Sequence, residues 1–482
     1  MLFNRTASST VLFVFFVLCA GCVVGPEYTL PETTVPTDFA TEDSSFYSAA
    51  ATEVEWWRGL QDDTLNQLIE QAVAHNHDLR LAETNVNAAR ALLGEGRYEQ
   101  YPIVTSEGSI SHEEASAARS QGTGSNFDRT NTFYDVALDA SWELDFFGRV
   151  KRSIEALAAD YDAIVAEQRN VHVIVTAEVA RTYLELRGAQ YRLKVAEENA
   201  TNQRGTYDLT RSITEGGLGT NLDIVRSQAQ LESTLASIPL LETEIMSTVH
   251  RLSVLVGEEP RALRTLLSTF KSLPDVPELL NIGAPADLLR RRPDILNAER
   301  RLAAATARIG VATADLFPRV SLIGSVGYTT TSLSDLGEDQ YRAASFGPSL
   351  FWPAFDLGRV RARIRAADAT AEGALVFYEK TVLAALEETE NVLVRFTKAR
   401  ERQSHLQIAA ESTAEAIELA RVRYSNGIDS FLNVLDAERQ LLELQDQLAQ
   451  SETETGLALV ALYKALGGSW GSAVSPSSSS EK

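Results

Sequence analysis

Cysteine is nearly missing from this chain: the 482 residues hold two, Cys19 and Cys22. Both close the apolar run Val11 to Leu18, which follows the single basic residue Arg5 and is too short to cross a bilayer, so it reads as a secretory signal. A chain exported that way keeps no thiol pair for an internal disulfide, and its core must hold by packing. Histidine is scarce too. His75, His77, His112, His172, His250 and His405 have no metal-ligand spacing, so neither a zinc site nor any other metal is expected. No Gly-rich phosphate loop, nucleophile elbow or HExxH motif occurs, which leaves catalysis without a constellation and predicts no cofactor. Basic residues are in deficit, 44 Lys and Arg against 66 Asp and Glu, and phosphate binding needs cationic patches, so nucleic acid is excluded as a partner. Beyond Met1 the one methionine is Met246, which disfavours thioether handling of copper or silver.

What the chain does have is a sentence written twice. WELDFFGRV, Trp142 to Val150, returns as WPAFDLGRV, Trp352 to Val360, at an offset of 210. Downstream the same offset pairs Leu209 with Leu419, Arg211 with Arg421, Gly217 with Gly427, Leu231 with Leu441 and Gly257 with Gly467. Upstream it becomes 216, pairing Asp78 with Asp294, Gly94 with Gly310 and Tyr101-Pro102 with Phe317-Pro318, so six extra residues fall between Pro102 and Gly148. Length alone suggests about three domains, whereas the duplication indicates two intertwined halves of one body. In each half strand character stops at Gly148-Arg149 or Gly358-Arg359 and a long helix starts, which makes these residues strand-to-helix junctions.

In order, residues 1–21 form the signal peptide, and 22–77 an N-terminal tether, rich in Pro and Thr, with a helix capped by Asp62 or Asp63 and marked by Leu65, Leu68, Ile69 and Val73. The first repeat, 78–257, holds a helix, strands at about 103–112 and 132–145, a long helix 149–215 and a returning helix 220–256. The linker 258–292 has prolines that forbid a continuous helix. The second repeat, 293–467, holds a helix, strands at about 319–331 and 343–355, a long helix 359–425 and a helix 430–466, before a disordered tail 468–482. The class is mainly α with a β part. Tyr134, Val136, Leu138, Ala140 and Trp142 alternate with polar or small neighbours, as in a transmembrane β-barrel wall, although a soluble sandwich alternates alike. Trp142 and Trp352 at strand ends fit an interfacial girdle. Four strands cannot close a barrel, so in a membrane several protomers must contribute. The helix after Arg149 spans roughly 100 Å at 1.5 Å per residue, Gly216-Gly217-Leu218-Gly219 breaks it, and Thr220 with Asp223 restarts it. Ile224, Ser227, Leu231, Thr234, Ile238 and Leu241 then step by three and four as a heptad seam, which Pro239 should bend. Leu441, Leu444, Leu448, Ser451, Thr455 and Ala458 continue the same seam in the second half.

CVVGPEY at Cys22 to Tyr28, WW at Trp56-Trp57, then LPDVP, LLRRRPDI, AERRLAAATARIG and FPRVSL follow one another in order. With these motifs the chain resembles a TolC-type outer-membrane factor of the lipoprotein, or NodT-like, branch that serves resistance-nodulation-division efflux systems. The resemblance implies a homotrimer with a 12-strand β-barrel on a 12-helix periplasmic α-barrel, and a lipid on Cys22 as the covalent group. It implies an exit duct of a tripartite pump that exports small molecules, drugs or other toxic compounds, with a periplasmic adaptor and an inner-membrane pump as partners. It places a periplasmic gate at Phe431 to Glu438, where relatives often carry two acidic residues and this chain has Asn433 and Asp436, with Tyr424 and Asp223 beside them. Asp429 stands where the family has a basic residue, which leaves the usual salt link there in question. Gly216, Gly217, Leu218, Gly219 and Thr220, with Asn426, Gly427, Ile428, Asp429 and Ser430, are the tips that would meet the adaptor. A type I protein-secretion duct has the same architecture, and a non-channel periplasmic coiled-coil protein is the third reading.

Overall fold

The computed structural model describes residues 23–40, 46–48, 50, 53–116, 130–217, 219–277 and 279–468. The expected signal peptide, Cys22, most of the first polar loop, Leu218 and the tail from 469 onward lie outside the described residues. In chain order the elements are β1 (Tyr47–Ser48), α1 (Asp63–His75), α2 (His77–Tyr98), β2 (Ile103–Glu114), β3 (Thr130–Leu144), α3 (Arg149–Glu215), α4 (Asn221–Leu255), α5 (Arg264–Leu267), β4 (Leu280–Asn281), α6 (Pro285–Arg291), α7 (Pro293–Ala314), β5 (Arg319–Thr330), β6 (Arg342–Phe351), α8 (Leu357–Ser425) and α9 (Phe431–Ala465). Moved by 216, the bounds of α2 and β2 become those of α7 and β5; moved by 210, those of α4 become those of α9.

The first compact unit takes in Val86–Ile164 and Ala298–Tyr378 with the N-terminal segment to Glu32. Its sheet is antiparallel in the order β2-β3-β5-β6. Residues directly across a ladder share a face. Val104 faces Ala140, which faces Gly324, which faces Phe346, and Gly108, Val136 and Tyr328 form a parallel row. This face is mainly apolar, with Arg342 at the end of the second row, and Val136, Leu138, Phe346 and Leu350 on it are exposed. The opposite face carries Glu107, Asp135, Asp139 and Ser325. A sheet so patterned in water would leave its oily side bare.

The two tryptophans at the strand ends act locally. Trp142 Nε1 donates to the Gln100 carbonyl at 2.9 Å, and Trp352 Nε1 to the Leu316 carbonyl at 3.0 Å, so each indole ties a strand end to the segment before the preceding strand. Below β3, Phe147 stacks on Phe317 with centroids 4.6 Å apart. The N-terminal segment lies against this corner. Val24 donates its backbone N–H to the Phe147 carbonyl, Arg152 donates to the Val24 and Gly25 carbonyls, and Tyr28 donates to Glu299 at 2.5 Å. Gly25, at φ +89°, touches Gly310 so closely that a Cβ on it would sit 2.4 Å from the Gly310 Cα, which explains two glycines of the motifs.

In the second half the junction differs from the first. Gly148 has φ +75° with Val23 against it, while Gly358 lies inside α8, which starts at Leu357. The strand expected at 343–355 stops at Phe351, opposite Arg319 where its partner β5 begins, and Pro353 to Asp356 make a turn. β3 runs on to Leu144 because Trp142, Glu143 and Leu144 pair with Leu322, Ser321 and Val320 of β5, a second partner that β6 does not have among the described residues.

The second unit, Thr33–Asn85, Val165–Asn297 and Glu379–Lys482, has its own core. Trp56 stacks on Tyr463 at 4.9 Å and meets Trp57 edge to face at 5.9 Å. Asp62 caps α1 by accepting from the Thr64 and Leu65 amides and also accepts from the buried Tyr183 hydroxyl at 2.6 Å. The seam residues Ser227, Leu231, Thr234, Leu241, Leu252 and Leu255 are buried, and α4 runs through Pro239. Gly188 lies against Thr453, and Leu184 against Gly456, so α3 and α9 approach closely. Between the halves lie α5, β4 and α6, with β4 paired parallel to β1.

Both returning helices end alike. Gly257 (φ +81°) donates to the Val254 carbonyl while Glu258 reaches Ser253, and Gly467 (φ +94°) donates to Lys464 while Gly468 reaches Tyr463, a pair of Schellman motifs. A Cβ on Gly257 would lie 2.5 Å from the His75 carbonyl oxygen, whereas one on Gly427, at φ +69°, would meet nothing within 4 Å. A left-handed backbone costs an alanine about 1–2 kcal/mol. Gly427→Ala should lose no more than that, and Gly257→Ala clearly more, as read from thermal unfolding in detergent. Equal losses would contradict the close approach.

Candidate functional site

The second hairpin tip is built by a helix stop of the same kind. At the end of α8 the Gly427 amide donates to the Tyr424 carbonyl at 2.9 Å and the Ile428 amide to Arg423 at 3.0 Å, while the Asn426 side chain donates to Val422 at 2.7 Å. Asp429 then organises the turn. Its carboxylate accepts from Arg423 Nε at 3.1 Å, from Asn433 Nδ2 at 2.6 Å and from the Ser430 amide at 3.0 Å. Asp429 thus forms an ion pair inside its own hairpin, with Arg423, in which it is the acidic partner where a basic residue was the expected one. Asn433, expected at the gate, holds this carboxylate one turn into α9. Ile428 is exposed, and Ser430 precedes α9 without a side-chain cap.

Tyr424 packs its ring 5.4 Å from that of Phe431. Burial pushes its hydroxyl up, and the charge of the Asp223 carboxylate in the first hairpin adds to the shift. Asp223 itself closes a capping box with Thr220: its Oδ2 accepts from the Thr220 backbone amide at 3.3 Å while Thr220 Oγ1 accepts from the Asp223 amide at 3.3 Å, and the Thr220 hydroxyl also donates to Oδ2 at 2.7 Å. In the first tip Gly216 and Gly217 are exposed, Gly217 turns at φ +80°, and Gly219 lies against Thr214; Leu218 is outside the described residues. Asp436 is exposed and pairs with Arg439 one turn on, at 3.0 Å. At the strand-to-helix junctions Arg149 forms a two-point pair with Glu143, both contacts at 2.8 Å, whereas Arg359 pairs with Asp356 in the exposed start of α8.

One group escapes a reading of the sequence. Glu438 is buried and accepts from Thr206 Oγ1 at 2.5 Å and from Arg421 Nη2 at 3.0 Å, tying α3, α8 and α9 together. Beside it a groove of about 430 Å³ runs between Gly205, Leu209, Tyr424 and Phe431. The sequence signal was available in the repeat: Arg421 matches Arg211, but Glu438 stands where the first half has Gln228. Among the described residues no group of three or more His, Cys, Asp or Glu side chains could hold a metal ion, and no helix is long and apolar enough to cross a membrane.

A duplicated antiparallel sheet with an exposed apolar face, together with paired long helices, is the fold of an outer-membrane channel. The chain belongs to the outer membrane efflux protein family, whose model matches residues 68–258 and 284–468, one stretch in each half. It is 32% identical over 437 residues to nodulation protein T of Rhizobium leguminosarum bv. viciae, covering 90% of this chain and 87% of that one. It is 31% identical over 451 residues to outer membrane protein OprJ of Pseudomonas aeruginosa, covering 93% of each. Among solved structures it is similar to the outer-membrane channel OprN, with 43% identity, a TM-score of 0.87, and 93% of this chain and 100% of that one covered. The chain is thus an efflux channel of the outer membrane that extends into the periplasm, and not an enzyme.

The Arg423 guanidinium, followed by the Ser430 amide, holds the Asp429 carboxyl below the usual carboxylate range. A carboxyl depressed in the folded state contributes stability above its unfolded value, about 3.9, and loses it as pH falls through the folded value. Amide protection at 426–433 should therefore stay constant from neutral pH down to about pH 5 and fall only below the unfolded value. Asp429→Asn should lower protection at neutral pH and abolish the acid step. Loosening of the wild-type turn between neutral pH and about pH 5 would refute this assignment.

Proposed function

We propose that three copies of this chain form the exit duct of a tripartite efflux pump, passing small molecules, drugs or other toxic compounds, from the periplasm or inner membrane to the outside. What carries the reading is the four-stranded sheet of β2, β3, β5 and β6: mainly apolar on one face, mainly polar on the other, and open at both edges among the described residues. Open edges in lipid leave backbone groups without partners, so a membrane-inserted sheet of this size needs further copies to close it. The two hairpin tips, Gly216 to Thr220 and Asn426 to Ser430, meet a periplasmic adaptor. An inner-membrane resistance-nodulation-division pump supplies the energy, since no nucleotide motif occurs in the sequence. Lipid on Cys22 anchors the N-terminus, which the contacts of Val24, Gly25 and Tyr28 then hold against the corner of the sheet unit.

Gating falls to Asp436, Asn433, Tyr424 and Asp223. Symmetry-related Asp436 carboxylates near one axis repel, attract cations and set ion selectivity, moderated here by each chain's own Arg439. Asp436→Ala should raise single-channel conductance in a planar bilayer or weaken block by divalent cations. Intact trimers with unchanged conductance and block would remove Asp436 from the gate. A periplasmic spacer without barrel or lipid would wash off membranes in carbonate, whereas the duct stays; a type I secretion duct would be marked by loss of a secreted protein, and not of resistance to small toxic compounds, on deletion.

A further inference from the structure

The second unit also holds a cavity of about 850 Å³ in which no residue of the tips or the gate takes part. Helices α3, α8 and α9 contribute Tyr191, Gln403 and Glu452 to its lining, and the irregular stretch after α5 contributes the apolar side chains of Leu273, Pro274 and Pro277. A cavity of this volume suits a small organic molecule. Three polar groups in it are open. Tyr191, Gln403 and Glu452 are each half-buried, and none of their side chains has a hydrogen-bond or ion-pair partner among the described residues. Glu452 is the costly one, since burial pushes its carboxyl up and no cation beside it holds it down. A carboxylate taken partly out of water without a counterion is unfavourable, and groups of this kind in a cleft mark places where a ligand is met.

Two cations on the lining are already engaged elsewhere. Lys194 lies over the Phe270 ring at 4.9 Å and pairs with Glu198 at 3.8 Å, and Arg400 lies over the Phe46 ring at 4.8 Å and donates to the Pro277 carbonyl at 3.4 Å. The duplication supplies an internal comparison. At the offset of 210 Glu452 matches Glu242 of α4, which is exposed, while Tyr191 matches Glu401 and Gln403 matches Leu193. The carboxylate is thus repeated with its helix, but the hydroxyl, the amide and the burial around it are not.

We propose that this cavity binds an organic cation, a primary amine on a small apolar body, with the ammonium on the Glu452 carboxylate beside the Tyr191 hydroxyl and the Gln403 amide oxygen, and the body against Leu273, Pro274 and Pro277. The site goes beyond the duct and does not rest on it, because all of its residues come from the second unit of one chain. An ammonium has three donors and no acceptor, and the open carboxylate, hydroxyl and amide oxygen each supply an acceptor. An anionic ligand meets the carboxylate with a like charge, and a neutral one leaves that charge unpaired.

The test is saturation-transfer NMR on the full-length protein in detergent, with phenethylamine as the probe and 3-phenylpropanoate and 2-phenylethanol as anionic and neutral probes of the same body. Phenethylamine should bind at least about tenfold more tightly than either. Glu452→Gln keeps the shape and removes the charge, so it should weaken the amine at least about tenfold and leave the partition of all three probes into the micelle unchanged. Glu242→Gln, at the equivalent place on α4, should leave amine binding as it is in the wild type. Without any probe, Glu452→Gln should unfold at a temperature no lower than the wild type, because it removes a half-buried charge that has no partner. Absence of phenethylamine binding, or equal binding by the wild type and Glu452→Gln, overturns the site. Tighter binding of 3-phenylpropanoate makes the cavity an anion site of Lys194 and Arg400 and overturns it equally. A lower unfolding temperature with amine binding unchanged makes Glu452 a packing residue and also overturns it. Single-channel conductance of Glu452→Gln, expected to match the wild type, is read separately, so loss of the site leaves the duct standing.

Discussion

A backbone amide at the edge of a sheet has no water to bond in hydrocarbon, and that constraint governs this chain more than any single contact. The sheet is four strands wide and apolar on one side, so in a bilayer its outer edges must be met by strands of identical chemistry. The duplication supplies them. Within one chain β3 already accepts β5, the first strand of the other half, and no bulge or special turn is needed at that join.

The scaffold is duplicated, but the chemistry is not. Asn76 and Arg292 occupy equivalent positions and both donate to the last turn of a returning helix, at Leu255 and Ala465, at 2.8 and 2.9 Å. Asn76 does so as a neutral cap for α2, whereas Arg292 needs Asp294 and Glu388 to neutralise it, at 2.7 Å each. The hairpin tips diverge further. Gly219, Arg226 and Gln228 in the first half become Asp429, Asp436 and Glu438 in the second. Three carboxylates thus enter one hairpin at positions that are neutral or basic in the other. One orders the turn, one is exposed on α9, and one is buried among Thr206 and Arg421. In exchange Glu215 and Asp223 of the first hairpin become Ser425 and Asn433, so the repeated frame carries its carboxylates at different places in the two hairpins.

Most of the element plan was legible in the sequence because it rests on period and punctuation. Alternation of Tyr134, Val136 and Leu138 marked β3, the three-four stepping from Ile224 marked α4, and glycines followed by Thr220 or Ser430 marked the tips. Partners across space were not legible. Trp142 and Trp352 read as membrane-interface residues from composition, but whether an indole N–H finds a carbonyl depends on where Gln100 and Leu316 are brought. Gly358 looked like Gly148 because the sequence match is local, while the conformation of each depends on its neighbours: Val23 presses on Gly148, and a turn from Pro353 to Asp356 leads into α8 before Gly358.

Glu438 shows why buried polar groups resist this kind of reading. On α9 it falls beside the seam position Ala437, where periodicity predicts a helix-face carboxylate in water. Its burial becomes tolerable only because Arg421, seventeen positions earlier, and Thr206, on a helix of the other half, both donate to it. Removing Arg421 would leave the buried carboxylate without its counterion, whereas removing Thr206 would leave the ion pair and cost one hydrogen bond. What Glu438 specifies here is the mutual position of α3, α8 and α9 next to Tyr424 and Phe431, where the charge of Asp223 in the first hairpin also acts on the Tyr424 hydroxyl.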